Sequence, residues 1–168
     1  MTIALRLATR EDAPNLAALS IQVWLHTYAT TGLRTALSEY VLAEFTAARF
    51  RALLDDANLL VVVAEMDAHL VGYAKLDFEA PCADLPELSV ELATLYVQEH
   101  FAGRGIGSSL LSACRAHALR RTGAPDLWLS VYHLNRRAVA FYEKHGMTVR
   151  GSFFFEFGGE RHKNWIMR

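Results

Sequence analysis

Between Leu95 and Leu111 the chain reads LYVQEHFAGRGIGSSLL: a β-branched and aromatic run, then Gly103, Gly105 and Gly107, then a run with helical spacing. A strand delivered into a helix through so bare a turn commits this part of the chain to an α/β arrangement. The glycines carry no Cβ atoms, so successive backbone N–H groups can point into one concavity. The first-turn amides of the helix add partial positive charge there. Such a turn suits a phosphate or pyrophosphate, with Arg104 as a charged contact. A tight turn that merely needs glycine backbone is the alternative.

The remaining periodicities extend the same class along the chain. Ile3–Ala8 alternates around Arg6 as a strand, and Thr9 to Asp12 has the form of a capping box. Leu16, Leu19, Val23, Trp24 and Thr27 fall at helical spacing. A single second helix is predicted from about Ala36 to Leu53, with Leu37, Tyr40, Val41, Phe45 and Ala48 on its inner face. Leu59–Ala64 and Val71–Phe78 read as hairpin partners, EAPCADLPEL as a loop, and Val90–Val97 as the strand that feeds the glycines. Ile106, Leu110, Cys114, His117 and Ala118 continue helically to Gly123, and Leu127–Val131 is a further strand. Asn135 stands as an N-cap, with Gly146 past the end of its helix. A last hairpin, GSFFFEF and ERHKNWIM, closes on Gly158-Gly159. The expected fold is mixed α/β, a single domain over residues 1–168, with a central twisted mixed sheet of about seven strands and about four helices.

Composition narrows the function. A net charge of −1 argues against nucleic-acid binding by electrostatics. The only two cysteines, Cys82 and Cys114, make neither a disulfide framework nor a CxxC knuckle, which points to a reducing compartment and no metal site. MTIALRLATRED lacks a basic region followed by a long apolar run, and no apolar segment approaches a membrane span. A cytoplasmic protein with no membrane partner is expected.

Two familiar phosphate loops fit poorly. A P-loop needs Lys and then Ser or Thr after its last glycine, whereas Ser108-Ser109 follow Gly107. A dinucleotide fingerprint begun at Gly103 finds a small residue in Ser108 but lacks its first-strand βαβ context. Ala102-Gly103-Arg104-Gly105-Ile106-Gly107 instead resembles the acetyl-CoA-binding motif Q/R-x-x-G-x-G/A of the GNAT superfamily of N-acetyltransferases, with Ala102 where the family has Gln or Arg. A second stretch, NRRAVAFYEKHGM from Asn135 to Met147, resembles the family's N-x-x-A-x-x-F-Y-x-x-x-G-F segment.

The resemblance implies a GNAT-like fold in which the parallel strands Val90–Val97 and Leu127–Val131 splay apart. Acetyl-CoA (coenzyme A) would enter between them. Its pantetheine arm would pair with the backbone of Leu95 and Val97, on either side of Tyr96. Its diphosphate would rest on Ala102 and the run from Gly103 to Ser108, which includes Arg104, Gly105, Ile106 and Gly107. Asn135, Ala138, Phe141 and Tyr142 would complete the cofactor side. Arg104, Arg115, Arg120, Arg121, Arg136, Arg137 and Lys144 outnumber Asp126 and Glu143 here, a balance suited to a polyanion.

On the same resemblance Tyr142 is the candidate general acid for the departing thiolate, or a core aromatic beside Phe141. Glu91 is the candidate base for the amine, or a solvent-facing strand residue. His100 and His133 are lesser candidates, otherwise loop histidines. Trp24 and Tyr28 share a helical face as acceptor wall or as core. From Asp77 through Glu79, Asp84, Glu87 and Glu91 to Glu99 the charges are all acidic, which favours a small cationic amine as acceptor. The chain would act as a monomer or homodimer by direct attack in a ternary complex. The rival readings are a protein N-terminal or lysine acetyltransferase, a non-catalytic acyl-CoA-binding regulatory domain, and a nucleotide binder.

Overall fold

The protein is described by a computed structural model over residues 3–157 and 159–168. Its contacts separate two compact units that interleave along the chain, Met1–Leu76 with Thr94–Cys114 and Asp77–Ala93 with Arg115–Arg168. Among the described residues there are seven strands and five α-helices, in the order β1 (Ile3–Leu7), α1 (Ala13–Tyr28), α2 (Thr35–Glu44), α3 (Ala47–Leu54), β2 (Leu59–Met66), β3 (His69–Asp77), β4 (Glu91–Val97), α4 (Ile106–Thr122), β5 (Leu129–Tyr132), α5 (Arg136–Lys144), β6 (Val149–Phe157) and β7 (Glu160–Met167).

In the first unit, β1 pairs antiparallel with β2 from Ile3 opposite Met66 to Leu7 opposite Val62. The sheet runs β1-β2-β3-β4. Val61 to Ala64 are all buried, as befits a strand covered on both faces. The β2–β3 hairpin turns on Asp67 and Ala68, both left-handed (φ +51° and +62°), the conformation of a two-residue type I′ turn. Leu16, Ala17 and Leu19 of α1 close over Val61, Val63 and Tyr73, with Phe50 of α3 at the side. At the entrance to α1 the Asp12 carboxylate accepts from the Thr9 backbone N–H at 2.7 Å and from the Arg6 guanidinium at 2.7 and 2.8 Å. Arg6 also donates to Glu65 across the β1–β2 pair at 2.5 Å. That partnership holds the Asp12 carboxyl below its usual range, chiefly through the Arg6 hydrogen bond.

The single helix expected over Ala36–Leu53 is two. Thr46 takes an extended conformation (φ −116°, ψ 150°), and its hydroxyl oxygen accepts from the Arg49 N–H at 3.2 Å, so it ends one helix and caps the next. The phase therefore shifts: Leu37 and Val41 are buried as expected, Ala48 is exposed, and Phe50 enters the core.

In the second unit the sheet runs β5-β7-β6 with antiparallel pairings, and Arg150 is the extra residue of a bulge between Val149 and Gly151. The loop before β4 folds onto it. Trp128 Nε1 donates to the Ala80 carbonyl at 2.8 Å, and Cys82, Leu85 and Ile166 form a small apolar cluster. The expected single central sheet is thus two sheets, and the expected four helices are five. β4 and β5 belong to different sheets, and Glu91 and Trp128 form an isolated parallel bridge. The final hairpin is present, and Gly158 of its expected turn lies outside the described residues.

Gly72 is where a missing side chain positions β4. A Cβ there would lie 2.8 Å from the Tyr96 carbonyl oxygen and 3.3 Å from Val97 Cγ2. Both atoms belong to β4, so Gly72→Ala must push that strand away. We expect it to lose about 1–3 kcal/mol, the usual cost of overpacking, measured as a lowered midpoint in urea.

Candidate active site

The glycine turn lies in the first unit. Gly103 and Gly105 are exposed and left-handed (φ +75° and +80°), and a Cβ at either would meet nothing within 4 Å. No protein atom therefore crowds the turn at these two positions. The Ser109 backbone N–H donates to the Gly105 carbonyl at 3.0 Å, at the first turn of α4. Among the described residues the amides from Gly103 to Gly107 make no such bond, as at any helix start. This arrangement fits a diphosphate: backbone N–H donors on glycines without side chains, at the positive end of the 17-residue helix α4.

Ile106 does not join the ligand surface through its side chain, which is 1% exposed and anchors α4 in the core. Its contribution to an anion would be its backbone N–H. Ala102 donates its N–H to Glu99 to close the short 3₁₀ turn Glu99–Phe101, at 3.1 Å. Arg104 is exposed with its guanidinium over the Phe101 ring, 5.2 Å from the centroid. A cation is thereby kept two residues from the position where Ala102 supplies none.

Upstream, Leu95, Tyr96 and Val97 form the end of β4. The Tyr96 ring packs edge-on against Tyr73 at 5.7 Å, so this residue offers a ligand its backbone and not its ring. Tyr73 is itself buried and sits in a chain of hydroxyls. Ser20 Oγ donates to the Leu16 carbonyl at 2.7 Å, which leaves it to accept from Tyr73 Oη, also at 2.7 Å. The Thr94 side chain bonds Tyr73 in turn. Burial pushes the Tyr73 phenol far up, and the hydroxyl partners offset only part of that. The chain ties α1 to β3 and to the strand that precedes the glycine turn. Sequence reading missed it, because neither Ser20 nor Thr94 belongs to a motif.

Trp24 is 5% exposed, with Tyr28 and Tyr40 stacked at centroid distances of 4.3 and 4.7 Å. Its burial against these rings places Trp24 in the core. Tyr28 is the more exposed member of the pair. Burial and the nearby Glu44 charge raise the Tyr40 phenol.

The second motif lies in the second unit. Asn135 caps α5, its side-chain oxygen accepting from the Ala138 N–H at 3.1 Å. That leaves the amide NH₂ as the end able to meet a ligand. Tyr142 is 8% exposed, its ring 5.2 Å from Phe141. Phe141 in turn packs on His145 at 4.4 Å. The Arg115 guanidinium donates to the His145 carbonyl at 3.1 Å and so braces α4 against the end of α5. Glu91 opens β4 beside Trp128, with its neighbour Leu92 donating to the Trp128 carbonyl at 2.8 Å. His100 is exposed, and His133 Nδ1 bonds the Lys163 carbonyl at 2.9 Å. Both cysteines are buried, and burial pushes the Cys114 thiol up to about 12.

A family model for the acetyltransferase (GNAT) family matches residues 22–147. The chain belongs to the GNAT family. It is 29% identical over 156 residues to an uncharacterized N-acetyltransferase of Mycobacterium tuberculosis, Rv2669, covering 93% of this chain and 96% of that one. It is also 29% identical over 154 residues to the peptidyl-lysine N-acetyltransferase YjaB of Escherichia coli (90% and 86% covered). A spermine/spermidine N(1)-acetyltransferase of Bacillus subtilis matches at 26% over 96 residues (56% and 62% covered). Among solved structures, the PaiA N-acetyltransferase of Thermoplasma acidophilum in complex with coenzyme A superposes with a TM-score of 0.74 at 21% identity, over 99% of this chain and 98% of that chain. A GCN5-related N-acetyltransferase from Rhodopseudomonas palustris gives 0.73 at 26% identity, over 99% and 94%. As a GNAT enzyme the chain is an acetyl-CoA-dependent N-acetyltransferase of mixed α/β fold. Among the described residues no helix is long and apolar enough to cross a membrane.

Proposed function

We propose that this GNAT enzyme acetylates the primary amine of a small cationic molecule by direct attack in a ternary complex. The observation that carries direct transfer is the state of the thiols: Cys82 and Cys114 are the chain's only cysteines, and both are buried. A covalent acyl-cysteine route needs an accessible thiolate. Acetyl-CoA supplies an acetyl thioester whose thiolate must depart. The amides from Gly103 to Gly107, with Ser108 and Arg104, hold the diphosphate; the backbone of Leu95 and Val97 receives the pantetheine arm. Tyr142 holds a proton for the departing sulfur. Glu91 takes a proton from the acceptor's ammonium, the form that dominates at neutral pH because alkylamine pKa values lie near about 10, and the free amine then attacks the thioester carbonyl.

The acidic run supports a cationic acceptor. Asp77, Glu79, Asp84 and Glu87 border the loop packed on β7, where Glu87 pairs with Arg168. The spermine/spermidine relative named above is compatible with that class. A second reading, a protein lysine as acceptor, is favoured by the peptidyl-lysine relative, which spans 90% of this chain. Both readings share an ammonium at the end of an alkyl chain.

Thiol release from acetyl-CoA against a panel of amines tests the proposal. Spermidine and other polyamines should exceed taurine in kcat/KM by about tenfold or more, as expected where acidic groups raise the local cation concentration. Equal turnover of cationic and anionic amines overturns the substrate class. Turnover restricted to lysine-containing peptides selects the second reading.

A further inference from the structure

The second unit carries one polar atom that neither the fold nor the family motifs explain. Across the sheet β5-β7-β6, Tyr132, Asn164 and Phe153 stand directly opposite one another. Cross-strand partners share a face, so these three side chains form a row. Ile166, two residues along β7, lies on the same face and is packed by Cys82, Leu85 and Leu88 of the acidic loop. His162, two residues the other way, brings its ring 5.7 Å from Tyr132. The loop thus covers one end of the face, and a polar and aromatic row occupies the rest. Within that row Asn164 Oδ1 is buried and accepts no hydrogen bond.

Nothing in the strand asks for this residue. The backbone of Asn164 does the pairing, asparagine is a poor strand former, and a β-branched residue would serve β7 better. A buried amide oxygen without a donor destabilises the ligand-free chain, and native structures keep few of them. The missing partner is therefore a donor brought from outside. An alkylammonium has three N–H donors and no acceptor, the complement of a lone carbonyl oxygen. The Tyr132 ring face favours the same cation. Phe153 beside it is 40% exposed, so the row is open at that end.

We propose that Asn164 is a specificity-determining residue of this acetyltransferase: its Oδ1 accepts an N–H of the acceptor amine, while Tyr132 and Phe153 flank the amine's alkyl chain. The inference rests on the primary-alkylamine reading above. It places acceptor recognition on the β7 strand itself, in addition to the acidic loop.

The test measures thiol release with acetyl-CoA and, as amine probes, spermidine and a lysine-containing peptide. Wild type, Asn164→Leu and Asn164→Asp are compared, with melting temperatures for all three. Asn164→Leu should raise the amine KM by about 10- to 100-fold, the value of a hydrogen bond to a charged group. The acetyl-CoA KM should stay within about twofold, and Tm should hold or rise because an unpaired amide has been removed. Asn164→Asp, which still offers acceptor oxygens, should retain or lower the amine KM. An unchanged amine KM in Asn164→Leu overturns the proposal. A fall in Tm with both KM values altered alike also overturns it, since the amide would then serve the fold. Wild-type enzyme that uses neither probe sinks the substrate reading, and this proposal with it; an active wild type with an indifferent Asn164→Leu sinks this proposal alone.

Discussion

Tyr142→Phe should lower kcat about 10²- to 10⁴-fold, the span typical of a lost general acid, while leaving the acetyl-CoA KM nearly unchanged. The substitution removes one hydroxyl and keeps the ring. Tyr142 is 8% exposed and its ring lies 5.2 Å from Phe141, so the packing that fixes the end of α5 survives. Two neighbouring amides, those of His145 and Met147, donate to the Tyr142 backbone carbonyl at 3.0 and 3.1 Å, and they do not depend on the side chain. The helix should therefore end where it does now, and the melting temperature should change by no more than about 1–2 °C. A phenol stays protonated throughout the neutral range, and a thiolate whose conjugate acid has a pKa of about 8.5 takes up a proton there. In the proposed mechanism the hydroxyl acts at the departure of that thiolate, so its loss should appear in kcat and not in cofactor binding. An undiminished kcat in a variant of unchanged stability would assign the hydroxyl to packing alone.

What the sequence makes legible follows from how local each cause is. The glycine turn, the Asn135 cap, Gly146 after α5 and the Thr9–Asp12 entrance to α1 are all decided within a few residues, and each is found in place. The α2–α3 break was hidden because Thr46 sits in a helical apolar pattern. Its capping role depends on one backbone conformation that hydrophobic spacing does not record. The division into two sheets is a long-range fact. β5 pairs with β7, the last strand, and no short-range periodicity says so. Trp24 illustrates the same limit: its spacing from Tyr28 is visible, but Tyr40, whose ring also packs on it, comes from a separate helix. Gly72 and Asn164 carry no motif at all. One matters because the Tyr96 carbonyl lies against it, the other because its amide oxygen has no donor.

Gly105 offers a way to separate two reasons for which a glycine can stand in that turn. At φ +80° an L-residue is strained, by roughly 1–2 kcal/mol for alanine and less for asparagine, which tolerates the left-handed region. Yet a Cβ at this position meets no protein atom within 4 Å, so packing within the protein does not exclude a side chain there. If backbone conformation alone mattered, Gly105→Ala would harm the enzyme more than Gly105→Asn. If the glycine is there to let the diphosphate reach the amides, both should harm it alike, because both place a Cβ between anion and donors. We expect the second pattern. The acetyl-CoA KM should rise about 10- to 100-fold in both variants, the equivalent of one or two lost charge-assisted hydrogen bonds. Stability should fall measurably only for alanine. Titration of each variant with coenzyme A by calorimetry, beside thermal melts, reads the two effects separately. Affinity that recovers in Gly105→Asn while remaining poor in Gly105→Ala would make the glycine a conformational requirement, and the open approach to the amides would no longer explain its presence.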